Sequence, residues 1–264
     1  MTYKIGIAIS VYNKGAFVAT NLNVFKHLWK KIKPYVAVSC NDPETFEKLS
    51  KLNIDNLVAG WDIPVTGKPA LRLRQYDTIK KSVTAAAEKS DYVIHWHGDA
   101  FALDPESILT IIDHMDQNDY LFAARGFWKD YCGAKVPDGD LDDHFFVINS
   151  QHVRESQMYS DDDEQLKYVQ GLVALGLCSE GILSNLVQKV TPEDKVYIYS
   201  DMKECEVLPT DRKDDRYEDK IPHRTLPSVN FDPGRKFLHC DDMSHLERIF
   251  VEQGIDTNLI VKEL

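Results

Sequence analysis

DYVIHWHGDAFALDPESI, residues 91–108, places an apolar extended run, a polar turn and a helix start within one short stretch. Tyr92 to His97 is a short β-branched and aromatic run, which reads as a strand, and His95 and His97 share one of its faces because side chains alternate along a strand. Pro105 then opens a helix running to Met115: proline fits the first helical turn, where its missing N–H costs nothing. A strand passing through a tight polar turn into a helix is half of a βαβ unit, so the sheet is expected to be largely parallel.

The same unit recurs upstream. Tyr3 to Val11 (YKIGIAISV) is apolar without alternation, as a strand covered on both faces must be. Ala19 to Lys31 follows with helical spacing through Leu22, Phe25, Leu28 and Trp29. Tyr35 to Ser39 is a second strand, with a helix started by Asp42 and Pro43. Ile54 to Val58 is a third, followed by a helix over Ala70 to Lys89. Beyond residue 120 the order changes: strands at Leu121 to Ala124 and His144 to Asn149, a helical stretch from Asp162 to Val190 interrupted near Gly176 and Cys178, strand-like VYIYS, and a last helix from Met243 to Glu252. The expectation is a single α/β domain over residues 1–264 with a mostly parallel twisted sheet flanked by helices, divided into residues 1–118, 119–195 and an irregular extension, 196–264.

The 264 residues include 31 Lys or Arg and 42 Asp or Glu, a net charge of −11. That balance argues against non-specific binding to nucleic acid, which needs a positive field. The five cysteines are scattered, with no CxxC spacing, so neither a disulfide framework nor a structural zinc site is expected. No apolar run approaches the ~20 residues of a membrane span, and the N-terminal segment lacks a signal-peptide pattern. A cytoplasmic protein with reduced thiols and no transmembrane segment is the expectation.

Ligands of open α/β sheets sit at the carboxyl ends of the strands. Those ends are Ser10 to Asn13, Ser39 to Asp42, Ala59 to Asp62 and His97 to Asp99, all short and polar. Neither GxGxxG nor GxxxxGK[ST] occurs, which removes the dinucleotide fingerprint and the P-loop. At the last of these ends His97 and Asp99 can converge, and an imidazole and a carboxylate there suit a divalent cation whose shell substrate oxygens complete. Satisfying a buried hydrogen bond is the plainer use for either histidine.

Four segments together resemble the GT-A family of nucleotide-sugar glycosyltransferases: IGIAISVYN (5–13), CND (40–42), LRLRQYDTI (71–79), and HGD (97–99) followed by AFALDPESI, where the family has its DxD motif and a proline-started helix. The resemblance spans roughly Tyr3 to Val190, with weaker support to His239. It implies a GT-A-like fold, a nucleotide-sugar donor with UDP favoured, a carbohydrate or other hydroxyl acceptor, and Mn2+ or Mg2+. By the same resemblance Ser10, Tyr12 and Asn13 line the nucleotide pocket and Asn41 and Asp42 approach the base or ribose. Arg74 faces the diphosphate with Gln75 nearby, and Asp99 binds the metal. His97 stands where the family usually has its first Asp, so a hard cation loses one negative ligand; the resemblance also implies His239, in FLHCDDMSHL, as a late metal or diphosphate ligand.

A proton acceptor for an inverting transfer, the outcome slightly favoured, is sought among the remaining acids. Glu180 opens a helix in CSEGILSNLV and ranks first, although simple helix-end electrostatics also explains an acid there. Asp143, in DGDLDDHFFVIN, ranks second; there Asp142, Asp143 and His144 are expected to cluster at the entrance of a strand. Asp241 or Asp242 caps the last helix, Asp161 to Glu164 starts another, and Asp211 to Lys220 reads as a solvated loop able to close over substrate. Trp61 and Trp128 could stack on a sugar or base, or simply pack. Two other classes fit the sequence less well. HWHGD has the HxHxD spacing of a metal-dependent hydrolase, but the next residue is Ala100 and not histidine. A non-catalytic nucleotide-sugar binding protein would explain the lost acid of DxD.

Overall fold

In the computed structural model, residues 3–61, 67–126, 141–201, 206–207, 228–230, 237–240 and 242–264 are described. β1 (Ile5–Val11), α1 (Gly15–Leu28), β2 (Tyr35–Cys40), α2 (Pro43–Leu49), β3 (Asn56–Ala59), α3 (Lys68–Ala87) and β4 (Tyr92–His97) alternate as the sequence predicts. They are followed by β5 (Ala100–Ala102), α4 (Pro105–Gln117), β6 (Phe122–Gly126), β7 (Leu141–Asn149), α5 (Ser150–Glu155), α6 (Asp163–Ala174), α7 (Ser179–Val190) and β8 (Val196–Asp201). The main sheet has seven strands in the order β3-β2-β1-β4-β7-β6-β8. Every neighbouring pair is parallel except those made by β7, which runs against both β4 and β6. The expected α/β class is the one observed, and one sheet runs from the first part of the chain into the last.

β1 is buried along its whole length. Ile5, Ile7, Ile9 and Val11 enter a core shared with Val18, Leu22 and Phe25 of α1 and Ile108, Ile112 and Met115 of α4. On the opposite face Ala8 joins Val83 and Ala86 of α3, together with Leu183 and Val187 of α7. Two covered faces explain why the strand reads as a continuous apolar run. The small residues on the α3 side have a steric reason: a Cβ at Gly6 would lie 2.5 Å from Ser90 Oγ and 3.2 Å from Ala86 Cβ.

Three details differ from the sequence reading. α1 begins at Gly15, four residues earlier than expected, directly after the polar turn. Asp142, Asp143 and His144 do not precede a strand but belong to β7, which is bulged there: two steps along β6, Ala124 to Gly126, are matched by five along β7, Phe146 to Leu141. Beyond 196 the described residues add regular elements that the sequence reading did not place. β8 completes one edge of the main sheet. β9 (Glu206–Val207), β10 (Ser228–Asn230) and β11 (Phe237–Cys240) join β5 in a second, antiparallel sheet. α8 (Met243–Glu252) covers it through Leu246, Ile249 and Phe250, which pack with Phe17, Val24 and Phe101. Trp128, Asp211 to Lys220 and Asp241 lie outside the described residues. No described helix is long and apolar enough to cross a membrane.

The close approach of α3 to β1 predicts that Gly6→Ala costs about 1–3 kcal/mol, the usual penalty for overpacking, read as a lower urea midpoint at unchanged slope. A variant as stable as the parent would mean that α3 and Ser90 yield freely.

Candidate functional site

Parallel pairing brings the carboxyl ends of β1, β2 and β4 to one edge, with Ser10 opposite both Ser39 and His97. Because β7 is antiparallel, its first residues come to that same edge. A cavity of about 380 Å³ opens there, and it is lined by Ser10, Tyr12, Asn13, Asn41, Arg74, Gln75, His97 and Asp99 among others. The sequence had selected these eight from three separate strand ends and the start of α3. Lys14, Leu71, Thr78 and His144 also face it.

Arg74 and Asn41 hold each other. Arg74 Nη2 donates to the Asn41 carbonyl at 3.0 Å, and Asn41 Nδ2 donates to the Arg74 carbonyl at 3.3 Å. The guanidinium stacks 4.2 Å from the centre of the Tyr12 ring, whose residue is 46% exposed. Arg74 thus braces the turn as well as lining the cavity. Asp42 is spent differently: its carboxylate caps α2, accepting from Thr45 N at 2.9 Å, and it is not among the lining residues. Trp61 packs beside Lys81, and its amide donates to the buried Asp77.

The two histidines of HWH part ways. His95 is fully buried, 3.2 Å from Ser10 Oγ and stacked on Phe146. Burial, reinforced by the neighbouring His97 and His144, pushes its pKa well below the ordinary value, so it is neutral and structural. His97 reaches the cavity, with its ring 4.8 Å from that of His144 and its Nε2 3.7 Å from Asp143 Oδ2.

Asp142, Asp143 and His144 bring their ligand-type atoms within 4.8 Å of one another. Simple alternation would aim Asp143 away from its neighbours, and the bulge in β7 brings the three together. Asp142 is fully buried and paired with the equally buried Arg125. Its other oxygen lies 2.9 Å from His144 Nδ1. Burial opposes the charge of Asp142, yet Arg125 and His144 hold its pKa well below the usual carboxylate range. Asp143 has no exposed side-chain surface, and neither oxygen accepts a hydrogen bond. Desolvation raises its pKa. For His144 burial works against the proton, but the hydrogen bond with Asp142 and the charges of Asp142, Asp143 and Glu180 raise its pKa above the ordinary imidazole value. His144 thus lines the cavity with its pKa raised by neighbouring acids, of which Asp142, Asp143 and Glu180 do not themselves line it. Glu180 is nearly buried in the first turn of α7 and accepts from Ser179 Oγ at 3.2 Å; that hydroxyl also accepts from Arg72 at 3.1 Å.

The expected metal ligands Asp99, His97 and His239 are partly brought together. β11 pairs His239 with Ala100, and Cys240 N donates to the Asp99 carbonyl at 2.9 Å, so the three backbones are neighbours. The carboxylate of Asp99, however, is ion-paired with the Lys14 ammonium. A divalent ion on that oxygen would face a fixed like charge, so these residues do not fit one as they stand. Sequence reasoning missed Lys14, Asn21 and Arg125. Asn21, buried within α1, donates to the Gly98 and Ala100 carbonyls at 3.1 and 3.0 Å and pins the HGD turn. Its signal was a polar residue among the apolar positions of α1. Lys14 and Arg125 gave none beyond their adjacency to a turn and a strand end.

No family model and no curated protein matches the chain. Among solved structures it is similar to the bifunctional glycosyltransferase WbbM, with a TM-score of 0.44 and 13% identity over 75% of this chain and 39% of that one. It is also similar to the galactosyltransferase LgtC in complex with donor and acceptor sugar analogues, at 0.44 and 12% over 69% and 70%. A third likeness is to the glycosyltransferase GlyE of Streptococcus pneumoniae TIGR4, at 0.43 and 12% over 75% and 45%. The chain thus spans less than half of WbbM and of GlyE. Likenesses at these scores carry no argument about activity, and the architecture stands on the strand order above.

The buried Arg125–Asp142 pair predicts that Asp142→Asn destabilises the protein by about 3–5 kcal/mol, because it removes the buried carboxylate that faces the Arg125 guanidinium and His144. The double replacement Arg125→Met with Asp142→Leu should recover much of that loss in chemical denaturation. Equal losses in both variants would show that the charge of Arg125 finds water.

Proposed function

We propose that this protein is a glycosyltransferase that holds a nucleoside-diphosphate sugar, UDP-sugar favoured, in the cavity at the ends of β1, β2 and β4 and transfers the sugar with inversion to a hydroxyl acceptor. The observation that supports the reading most is the gathering of Ser10, Tyr12, Asn13, Asn41, Arg74, Gln75, His97 and Asp99 around one cavity of about 380 Å³. A volume of roughly 300–1,000 Å³ suits a small-molecule ligand. The open face of Tyr12, braced by Arg74, suits a stacked base, and Asn41 and Asn13 offer polar groups for base or ribose. Arg74 lies toward the diphosphate. His97 and His144 border the space left for the sugar.

In this reading the acceptor oxygen attacks the anomeric carbon while the bond from that carbon to the diphosphate oxygen breaks. The nucleoside diphosphate leaves with the bonding electron pair, and fixed positive groups stabilise the charge it gains. Glu180 takes the acceptor proton. Neither Glu180 nor Asp143 lines the cavity in this structure; Glu180 is preferred because it keeps some solvent exposure, whereas the Asp143 side chain has none. Asp143 then acts on the charge of His144 and not on the acceptor. Mn2+ or Mg2+ at Asp99 is not part of this scheme, since Lys14 already pairs with that acid. The hydrolase alternative is not favoured: its His95 ligand is sealed in the core, bonded to Ser10.

Thermal unfolding against UDP, GDP and their sugars tests the donor. A ligand at a hundred times its Kd should add about 2.7 kcal/mol of stability, and indifference to every nucleotide would sink the reading. Glu180→Gln should lower sugar transfer by about 10²–10⁴-fold with donor affinity retained, the usual loss on removing a general base. Donor binding without turnover on any hydroxyl acceptor would instead identify a non-catalytic binding protein.

A further inference from the structure

The turn after β1 ends in Lys14, the residue immediately before α1. Its ammonium pairs with Asp99, the acid of the HGD turn, while its side chain remains 36% exposed along the cavity. Asp99 is nearly buried, so the carboxylate serves as a fixed anchor and the lysine as the part that a ligand can reach. The pair is held from both sides: Asn21 of α1 fastens the HGD turn through the Gly98 and Ala100 carbonyls, and Gly98 N donates to the Ser10 carbonyl at 2.9 Å. An ammonium has three hydrogens, and Asp99 takes one direction, leaving donors for other acceptors. The start of α1 adds to the same field. Its first turn has no acidic residue and no side-chain cap, so its amides present their partial positive charge beside Lys14. Arg74 lines the same cavity.

We propose that Lys14, steered by Asp99, binds phosphate oxygens of a diphosphate directly, in the position where a divalent cation would otherwise bridge an acid of the turn and the ligand. The identity of the ligand rests on the donor-site reading above; the cation that holds its phosphates is the new element. Asp99 then binds the lysine and not a metal. This gives the HGD sequence a physical sense: with an ammonium as the cation, the first acid of a DxD pair has no charge to balance, and an imidazole can stand there. The Asp142–Asp143–His144 cluster is no substitute metal site, because Asp142 is already committed to Arg125 and His144.

Titration calorimetry of the full chain with inorganic pyrophosphate, and then with UDP and GDP, first in EDTA and then in Mn2+, tests the inference. Binding in EDTA that is indifferent to added Mn2+ is expected. Lys14→Met should weaken pyrophosphate by about tenfold or more, the worth of a charge-assisted hydrogen bond, and Lys14→Arg should retain most of it. Because Lys14→Met strands the carboxylate of Asp99, the neutral pair Lys14→Met with Asp99→Asn provides a second variant, expected to fold and to have lost pyrophosphate. Pyrophosphate binding that needs Mn2+, or that survives in the neutral pair, would overturn the proposal. A nucleoside diphosphate that binds only with Mn2+ and is lost in Asp99→Asn would also overturn it while leaving the donor reading intact. Pyrophosphate held by Lys14 with no gain from an attached nucleoside would leave Lys14 as the phosphate cation and remove the nucleotide donor.

Discussion

β7 runs antiparallel between β4 and β6, and the placement of Asp142, Asp143 and His144 beside the cavity depends on that reversal. In a wholly parallel sheet the start of each strand lies at the edge remote from the ligand. Reversing one strand carries its first residues, Leu141 to His144, to the edge where β1, β2 and β4 end. The bulge that follows turns three successive side chains toward one another. Without it Asp143 would point to the opposite face from Asp142 and His144.

Such a cluster is costly to build. Arg125, Asp142 and Asp143 have no solvent exposure, and charges removed from water cost several kcal/mol each unless they are paired and hydrogen-bonded. Arg125 and His144 answer for Asp142, while Asp143 keeps two oxygens without a hydrogen bond. A stability optimum would not leave it so, and unsatisfied buried groups concentrate where a site needs them. Lys14 and Asp99 form a second, more accessible pair lining the cavity. Lys14 and Arg74 thus line the cavity, while Asp142 and Asp143 do not, in a chain whose net charge is −11.

Much of the framework was legible in the order of residues because its cause is local. Unbroken apolar runs, helix starts at Asp42, Asp162 and Asp242, and Pro43 and Pro105 in first helical turns depend on neighbours a few positions away. The strand ends of a parallel sheet converge by topology, so Ser10, Asn41 and His97 could be placed at one edge before any contact was known, whereas Arg74 was assigned there only through the family resemblance. The second sheet was not legible. β5 and β11 are three and four residues long and pair across more than 130 positions, too short for a period and too distant for a turn signal.

The sequence by itself determined the α/β class, the main helices and the edge of the sheet at which the cavity opens, because these follow from hydrophobic period, caps and chain connectivity. Only the tertiary structure decided what each polar side chain there does. It made Asp42 a cap and His95 a core residue, sealed Asp143, and set Lys14 against Asp99, 85 residues away. A charge acquires its role from the partner and the solvent it meets, and both are fixed by packing between segments that no local pattern connects.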